Sequence, residues 1–98
     1  FVSPCLASLR DQPPEGRDWI HEVKFDGYRV QAVVAGGEAR LLTRTGLDWT
    51  ERFGSELADA CAGLPCESAV IDGEVVVLND AGVSSFAELQ AALSEGRR

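Results

Sequence analysis

The stretch that decides the fold is residues 28–44, YRVQAVVAGGEARLLTR. Its first part, 28–35, is rich in β-branched residues and predicts a strand. Gly36-Gly37 predicts a tight turn, because glycine readily adopts the positive φ angles that two-residue hairpin turns require. The part after the turn, 39–44, predicts the returning strand. The centre of the fold is therefore expected to be an antiparallel hairpin.

The residues in front of the hairpin alternate in a way that predicts one more strand. In residues 19–25, WIHEVKF, alternate positions starting at Trp19 form the more apolar face, and Glu22 and Lys24 lie together on the other face. Asp26-Gly27 then predicts a turn into the hairpin. Residues 1–18 are interrupted by prolines and predict an irregular lead-in.

Beyond the hairpin the apolar period changes from two residues to that of a helix. Asp48 and Glu51 have the spacing of a capping box at a helix start, and Ser85 and Glu88 repeat that spacing. The prediction for this half is a helix over 49–62, a long strand over 68–78 and a short helix after Ser85. The order β-β-β-α-β-α indicates an α+β domain, an antiparallel β-sheet with flanking helices.

The charge is uneven along the chain. The 98 residues suffice for one domain, and their net charge of -7 alone argues against a nucleic-acid partner, which requires clustered Lys and Arg. Four arginines nevertheless fall near the single lysine, Lys24. A local basic site on an acidic body is therefore expected, and the arginines are Arg29, Arg40, Arg44 and Arg52.

Composition also bears on location. The three cysteines are an odd number at spacings that fit no zinc site, and they predict buried or idle thiols in a reducing cytosol. No apolar run is long enough to span a membrane, and residues 1–10 lack the features of a signal peptide. We expect a cytoplasmic protein with no membrane partner. The chain begins without Met, which suggests a piece of a longer protein.

Lys24 is the first candidate for chemistry. It is the only lysine, whereas arginine occurs eight times among the 9 basic residues. A lysine amine attacks phosphorus when it is deprotonated, and nearby cations such as Arg29 and Arg44 favour that form. Glu22 and Asp26 would favour the ammonium instead. The ordinary alternative is a solvated strand face with weak ion pairs.

Three motifs around this lysine occur together. EVKFDGYR at 22–29 resembles the K-x-D-G-x-R motif of covalent nucleotidyltransferases, and LTRTG at 42–46 resembles the S/T-R-x-G motif of DNA ligases. IDGEVV at 71–76 resembles a third motif, D-G-E on a strand. The chain thus resembles the adenylation domain of ATP-dependent DNA ligases, with RNA ligases and mRNA capping enzymes as cousins. Four more stretches look most like the ligase domain of bacterial multifunctional end-joining ligases, and they are 4–7, 13–16, 46–50 and 85–90.

The resemblance implies a fold, substrates and roles. The fold would be the N-terminal part of an ATP-grasp-like covalent nucleotidyltransferase domain. Lys24 would attack the α-phosphate of ATP, release pyrophosphate and hold AMP through a phosphoramidate. Glu22 would lie against the adenine, Arg29 and Arg44 would contact ribose or phosphate, and Glu74 would contact the ribose or place Mg²⁺. The longer enzyme would pass AMP to a DNA 5′-phosphate and seal breaks in double-stranded DNA during repair.

Plainer roles stay open for the same residues. Glu22 could simply pair with Lys24, Arg44 could be a charge at a sheet edge, and Asp72 and Glu74 could form a solvated strand face. Residues expected to pack rather than to bind are Trp19, His21, Trp49 and Phe86.

The resemblance ends before the family's later elements. An F-D strand, an E-G-x-V element, a K-x-K element and an OB-fold domain would follow, so residues 1–98 are expected to be a partial adenylation domain. A catalytically silent structural or interaction fragment, and an RNA ligase or capping-type enzyme, are the alternatives. If the ligase interpretation holds, Lys24, Arg44 and Glu74 should converge on one cleft.

Overall fold

The computed structural model describes residues 1–94 as one sheet flanked by helices. The strands are β1 (Tyr28–Ala35), β2 (Glu38–Thr43) and β3 (Ser68–Val75), and they form an antiparallel sheet in the order β2-β1-β3. The helices are α1 (Thr50–Phe53), α2 (Ser55–Ala62) and α3 (Phe86–Ser94). The predicted α+β class and antiparallel sheet are confirmed.

The central hairpin forms as predicted. Ala35 pairs with Glu38 across the turn, and Gly36 and Gly37 have φ angles of 60° and 79°. Both turn residues therefore occupy the left-handed region that a two-residue hairpin of matching twist requires. β1 then pairs along its other edge with β3, from Tyr28 to Ala35, so it is the middle strand of the sheet.

The two faces of the sheet are covered differently. One face packs against the helices in a core of five buried residues, and they are Val30, Ala32, Leu41, Phe53 and Ala58. The other face is covered near its centre by the N-terminal segment. There the Val2 N–H donates to Gln31 Oε1 at 2.9 Å and Gln31 Nε2 donates to the Val2 carbonyl at 2.7 Å. These two bonds satisfy the amide of Gln31, which is buried.

The strand predicted over 19–25 is wrong. That segment is irregular, has no ladder pairing with a described strand, and each of its residues is exposed. Alternation alone does not make a strand, because its backbone groups also need a partner edge. Trp19 and His21 are exposed rather than packed, and the His21 ring nitrogen lies 3.0 Å from the Pro14 carbonyl oxygen.

Three smaller features of the helices and strands also differ from prediction. The helix predicted over 49–62 is broken at Gly54, whose φ of 94° separates α1 from α2. The first capping box does not form, because Asp48 Oδ1 accepts from the N–H and hydroxyl of Thr50 at 3.0 and 2.6 Å. β3 ends at Val75 rather than at 78. The observed order is β-β-α-α-β-α.

The exposure of the cysteines and the length of the helices bear on the predictions made from composition. Cys5 and Cys66 are exposed and Cys61 is half-buried, and all three are free thiols, so of the two predicted alternatives, buried or idle, burial does not apply to Cys5 and Cys66. None of the described helices is long and apolar enough to cross a membrane.

Candidate functional site

A cavity of about 460 Å³ opens at the end of the sheet where β1 begins and β2 ends. This volume falls within the range of small-molecule sites, roughly 300 to 1,000 Å³. A second depression of about 360 Å³ lies between β2 and α2, but none of the predicted site residues lines it. The lining of the first cavity is Gly27, Tyr28, Arg29, Thr43, Arg44, Thr45, Leu47, Trp49 and Glu74.

Strand pairing places two charged residues of this lining opposite each other. Arg29 of β1 is the register partner of Glu74 of β3, so both side chains leave the same face of the sheet. The neighbouring Val75 packs against the core instead. Glu74 therefore points away from the core, as predicted from the alternation along this strand.

Arg44 is presented by a tight loop directly after β2. The Thr43 N–H donates to the Leu47 carbonyl at 2.8 Å, and the Gly46 N–H donates to the Thr43 carbonyl at 2.8 Å. Thr43 Oγ1 also accepts from the Leu47 N–H at 3.1 Å. Gly46 has a φ of 88°, which fits the requirement of the T-R-x-G motif for glycine. The closed loop leaves the Arg44 side chain exposed at the cavity.

Arg29 is held by a two-pronged ion pair. Its Nε and Nη2 donate to the two carboxylate oxygens of Asp72 at 3.0 and 2.7 Å, and its Nη1 donates to the Cys5 carbonyl at 2.8 Å. These bonds use three of the five guanidinium N–H donors, so two remain for a ligand. The hydrogen bond from Arg29 lowers the pKa of the Asp72 carboxyl, and the same bond raises the pKa of Arg29.

The apolar wall of the cavity is aromatic. The Tyr28 ring packs edge-on against Trp49, with centroids 5.5 Å apart, and against Phe86 at 5.1 Å. The Arg52 guanidinium lies 4.2 Å from the centre of the Trp49 ring. Trp49 is thus a packing residue, as predicted, whose remaining surface lines the cavity.

Lys24 and Glu22 lie outside this lining. Both are exposed in the irregular segment before β1, and Lys24 stands three residues before Gly27, the first lining residue. No ion pair joins Lys24 to another residue within 1–94. The structure therefore brings Arg29, Arg44 and Glu74 together and leaves Lys24 beside them in sequence, and the expected convergence is observed for two of its three members.

Sequence reasoning missed two features of the site. Asp72 was interpreted only as a solvated strand residue, yet it fixes the orientation of Arg29. The pairing of β1 with β3 creates this contact, and no local pattern reveals that register. Tyr28 was not singled out, although its place between a turn glycine and a candidate arginine marked it as lining the same end of the strand.

The carboxylates offer limited metal-binding capacity. No three His, Cys, Asp or Glu side chains within residues 1–94 come together as a metal cluster. Glu74 is the one carboxylate in the cavity lining. This fits Mg²⁺ bound with a nucleotide, since that ion is commonly held by one or two carboxylates plus phosphate oxygens and water.

Comparison with known proteins defines the class. Residues 4–96 match the family model of the ATP dependent DNA ligase domain. The chain therefore belongs to the family of ATP-dependent DNA ligase domains. This membership agrees with the three motifs and favours the ligase interpretation over RNA ligases and capping enzymes.

The relatives narrow the resemblance to end-joining ligases. The chain is 48% identical over 97 residues to the multifunctional non-homologous end joining protein LigD of Pseudomonas aeruginosa, covering 99% of this chain and 11% of that protein. It superposes on the ligase domain of M. tuberculosis LigD with a TM-score of 0.62 and 37% identity, covering 71% of this chain and 23% of that one. A mycobacterial DNA ligase D complexed with ATP and MES gives a TM-score of 0.63 at 38% identity, covering 70% and 23%. The chain thus spans about a tenth of the Pseudomonas protein.

Proposed function

We propose that the chain is the front part of the adenylation domain of an end-joining DNA ligase, and that Lys24 takes up AMP. The observation that supports this most is the cavity at the start of β1, which is lined by Arg29, Arg44 and Glu74. Arg29 lies three residues after Asp26, the last residue of the K-x-D segment. Two cations and one carboxylate around an aromatic wall match the phosphates, metal and ring system of a nucleotide.

The chemistry assigned to these residues is one substitution at phosphorus. The Lys24 amine attacks the α-phosphorus of ATP and loses a proton, a P–N bond forms, and the bond to the bridging oxygen breaks as pyrophosphate leaves. Arg29 and Arg44 stabilise the negative charge that builds up on the phosphate oxygens. Glu22 would lie against the adenine.

Glu74 is the residue proposed to hold Mg²⁺, together with phosphate oxygens of the bound nucleotide. The ion would neutralise phosphate charge near the lysine. Asp72 is less suited to this role, since both its oxygens accept hydrogen bonds from Arg29.

The DNA partner belongs to the proposal for the longer protein. AMP would pass from Lys24 to a DNA 5′-phosphate, and a neighbouring 3′-hydroxyl would then displace it, which seals the break. The chain covers 11% of the Pseudomonas protein and 23% of the M. tuberculosis ligase domain, so the remaining pocket residues and further domains would come from elsewhere in the protein. Its place of action would be the bacterial cytoplasm, at the nucleoid.

The experiment is adduct formation by the full-length protein. The protein is incubated with ATP labelled on the α-phosphate, denatured and run on a gel. We expect label on the wild-type band, none on Lys24→Ala, and normal label on the matched control Arg17→Ala, an exposed cation of the same lead-in. Nick sealing should be lost together with the label. Undiminished labelling of Lys24→Ala would refute the assignment.

A further inference from the structure

Three consecutive residues that follow Lys24 closely, 26–28, each contact another part of the fold. The Asp26 N–H donates to Ser84 Oγ at 2.8 Å. Gly27 lies against the end of β3, where any Cβ would overlap the Val75 carbonyl oxygen and lie 2.9 Å from Val76 Cγ1. Tyr28 packs on Phe86 with ring centroids 5.1 Å apart.

All three contacts fall on one stretch, residues 75–86, between β3 and the start of α3. Lys24 is two residues before Asp26, and two residues of extended chain span at most about 7 Å. Of these three contacts, the one at Asp26 is nearest to Lys24 in the sequence. The direction in which the chain leaves the sheet toward Lys24 therefore depends on this hydrogen bond.

The turn that presents Ser84 is itself well ordered by hydrogen bonds. Asn79 Oδ1 accepts from the N–H groups of Ala81 and Val83 at 2.9 and 3.0 Å, and the Asn79 N–H donates to the Val83 carbonyl at 2.8 Å. Ser84 also forms a bridge with Leu78. Side chains such as Asn79 that bond the backbone two residues on fix tight turns, so Ser84 is a firm point of attachment.

The adjacent residues Ser84 and Ser85 have different hydrogen-bond partners. Ser85 Oγ accepts from the Glu88 N–H at 3.3 Å and so caps the start of α3, as the second capping box predicted. Ser84 Oγ reaches Asp26, 58 residues away in sequence. Neither serine lines the cavity beside Arg44.

We propose that Ser84 is a positioning residue for adenylation, whose hydroxyl holds the Asp26 backbone so that Lys24 is directed toward the nucleotide. This inference rests on the proposed function. Ser84 does not line the cavity and its hydroxyl bonds the backbone two residues after Lys24, so it should affect the attack and not the binding of ATP.

The test measures the single-turnover rate of adduct formation in the full-length protein at several ATP concentrations. Ser84→Ala should lower the rate at saturating ATP about tenfold, with the half-saturating ATP concentration unchanged. Ser84→Thr keeps a hydroxyl at Cβ and should restore the rate to within about twofold. The matched control is Ser85→Ala, which removes the helix cap and should leave the rate near that of the wild type.

A second readout is amide hydrogen exchange at Asp26, which Ser84→Ala should accelerate about tenfold and Ser85→Ala should not. Equal rate losses in both alanine variants would reduce Ser84 to a structural role and overturn the proposal. So would a change confined to the half-saturating ATP concentration, or an unchanged rate in Ser84→Ala while the wild type labels normally. A wild-type protein that forms no adduct instead overturns the proposed function, and the positioning role falls with it. In that event the exchange measurement still shows whether the hydrogen bond from the Asp26 N–H to Ser84 Oγ exists.

Discussion

Residues 19–26 and strand β1 follow each other directly and share an apolar character, yet only β1 is buried. Ile20 and Val23 are 97% and 79% exposed, whereas Val30 and Val34 are 5% and 1% exposed. The difference in burial follows from strand pairing, because β1 has β2 on one edge and β3 on the other, while 19–26 pairs with no described strand. Lys24, proposed to do the chemistry, and Glu22, proposed to lie against the adenine, therefore sit in the segment that lacks a partner strand. Arg29, Arg44 and Glu74, proposed to bind the phosphates and metal, sit on or beside the paired strands.

The largest expected effect is at Gly27, the boundary between the two regions. Gly27→Ala forces either the end of β3 or the Lys24 segment to move, because the new Cβ would overlap the Val75 carbonyl oxygen. We expect adduct formation to fall roughly 100-fold and the free energy of unfolding to fall by about 1 to 3 kcal/mol. The control is Gly63→Ala, whose Cβ would meet nothing closer than 3.5 Å. Normal labelling by Gly27→Ala would show that this close approach does not govern the site.

The contrast in burial is tested by a pair of identical substitutions. Val34→Ala removes buried methyl groups and should lower the free energy of unfolding by about 2 kcal/mol. Val23→Ala changes an exposed side chain and should stay within about 0.5 kcal/mol of the wild type. Thermal or denaturant unfolding of the two variants measures both values. A cost for Val23→Ala equal to that for Val34→Ala would mean that the segment before β1 is packed in solution.

The ion pair between Arg29 and Asp72, on the paired strands β1 and β3, predicts a smaller effect on stability that depends on pH. Arg29 lowers the pKa of Asp72 in the folded protein, so the pair stabilises the fold above the unfolded value and the gain is lost as pH falls through the lowered pKa. The unfolded value is about 3.9. The melting temperature of Asp72→Asn should therefore lie below that of the wild type at pH 7, and the gap should close between roughly pH 4 and pH 2.

The control for this titration is Asp80→Asn, which removes an exposed carboxylate that forms no ion pair within residues 1–94. Asp48, whose pKa is lowered mainly by the Thr50 hydroxyl, is present in every protein compared and cancels. A gap for Asp72→Asn that stays constant down to the lowest pH would refute the assignment to this pair.

The weakest expected effect is DNA binding by residues 1–98 alone. The net charge of -7 opposes association with phosphates, and the cavity contributes only Arg29 and Arg44 as cations. A gel-shift titration with nicked duplex should show at most weak binding that disappears between low and moderate salt. Tight binding that resists salt would mean that the basic site is far stronger than the charges in the lining suggest.

Local patterns in the sequence predicted the elements that are local in nature. The Gly36-Gly37 hairpin and the Ser85 cap formed as expected because each depends on residues within a few positions. The alternation over 68–75 also placed Glu74 away from the core. Family membership followed from three short motifs at the right spacing.

Contacts between distant residues could not be predicted in this way. The Arg29–Asp72 pair and the Asp26–Ser84 bond join residues 43 and 58 positions apart, and both depend on how β3 and the following turn pack beside β1. The false strand at 19–25 has the same origin, because its side-chain pattern was correct for a strand and only the missing partner decided otherwise. The break at Gly54 is a backbone effect that helical periodicity does not register.

The most direct test of the account is to locate the AMP on the protein. The full-length protein is incubated with ATP and Mg²⁺, kept at neutral pH to preserve the P–N bond, digested with trypsin and analysed by mass spectrometry. Trypsin cuts after Arg17, Lys24 and Arg29. AMP on Lys24 should block the middle cut and give peptide 18–29 carrying one AMP. AMP found on another residue, or modified protein that still yields unmodified 18–24 and 25–29 in full amount, would contradict the account.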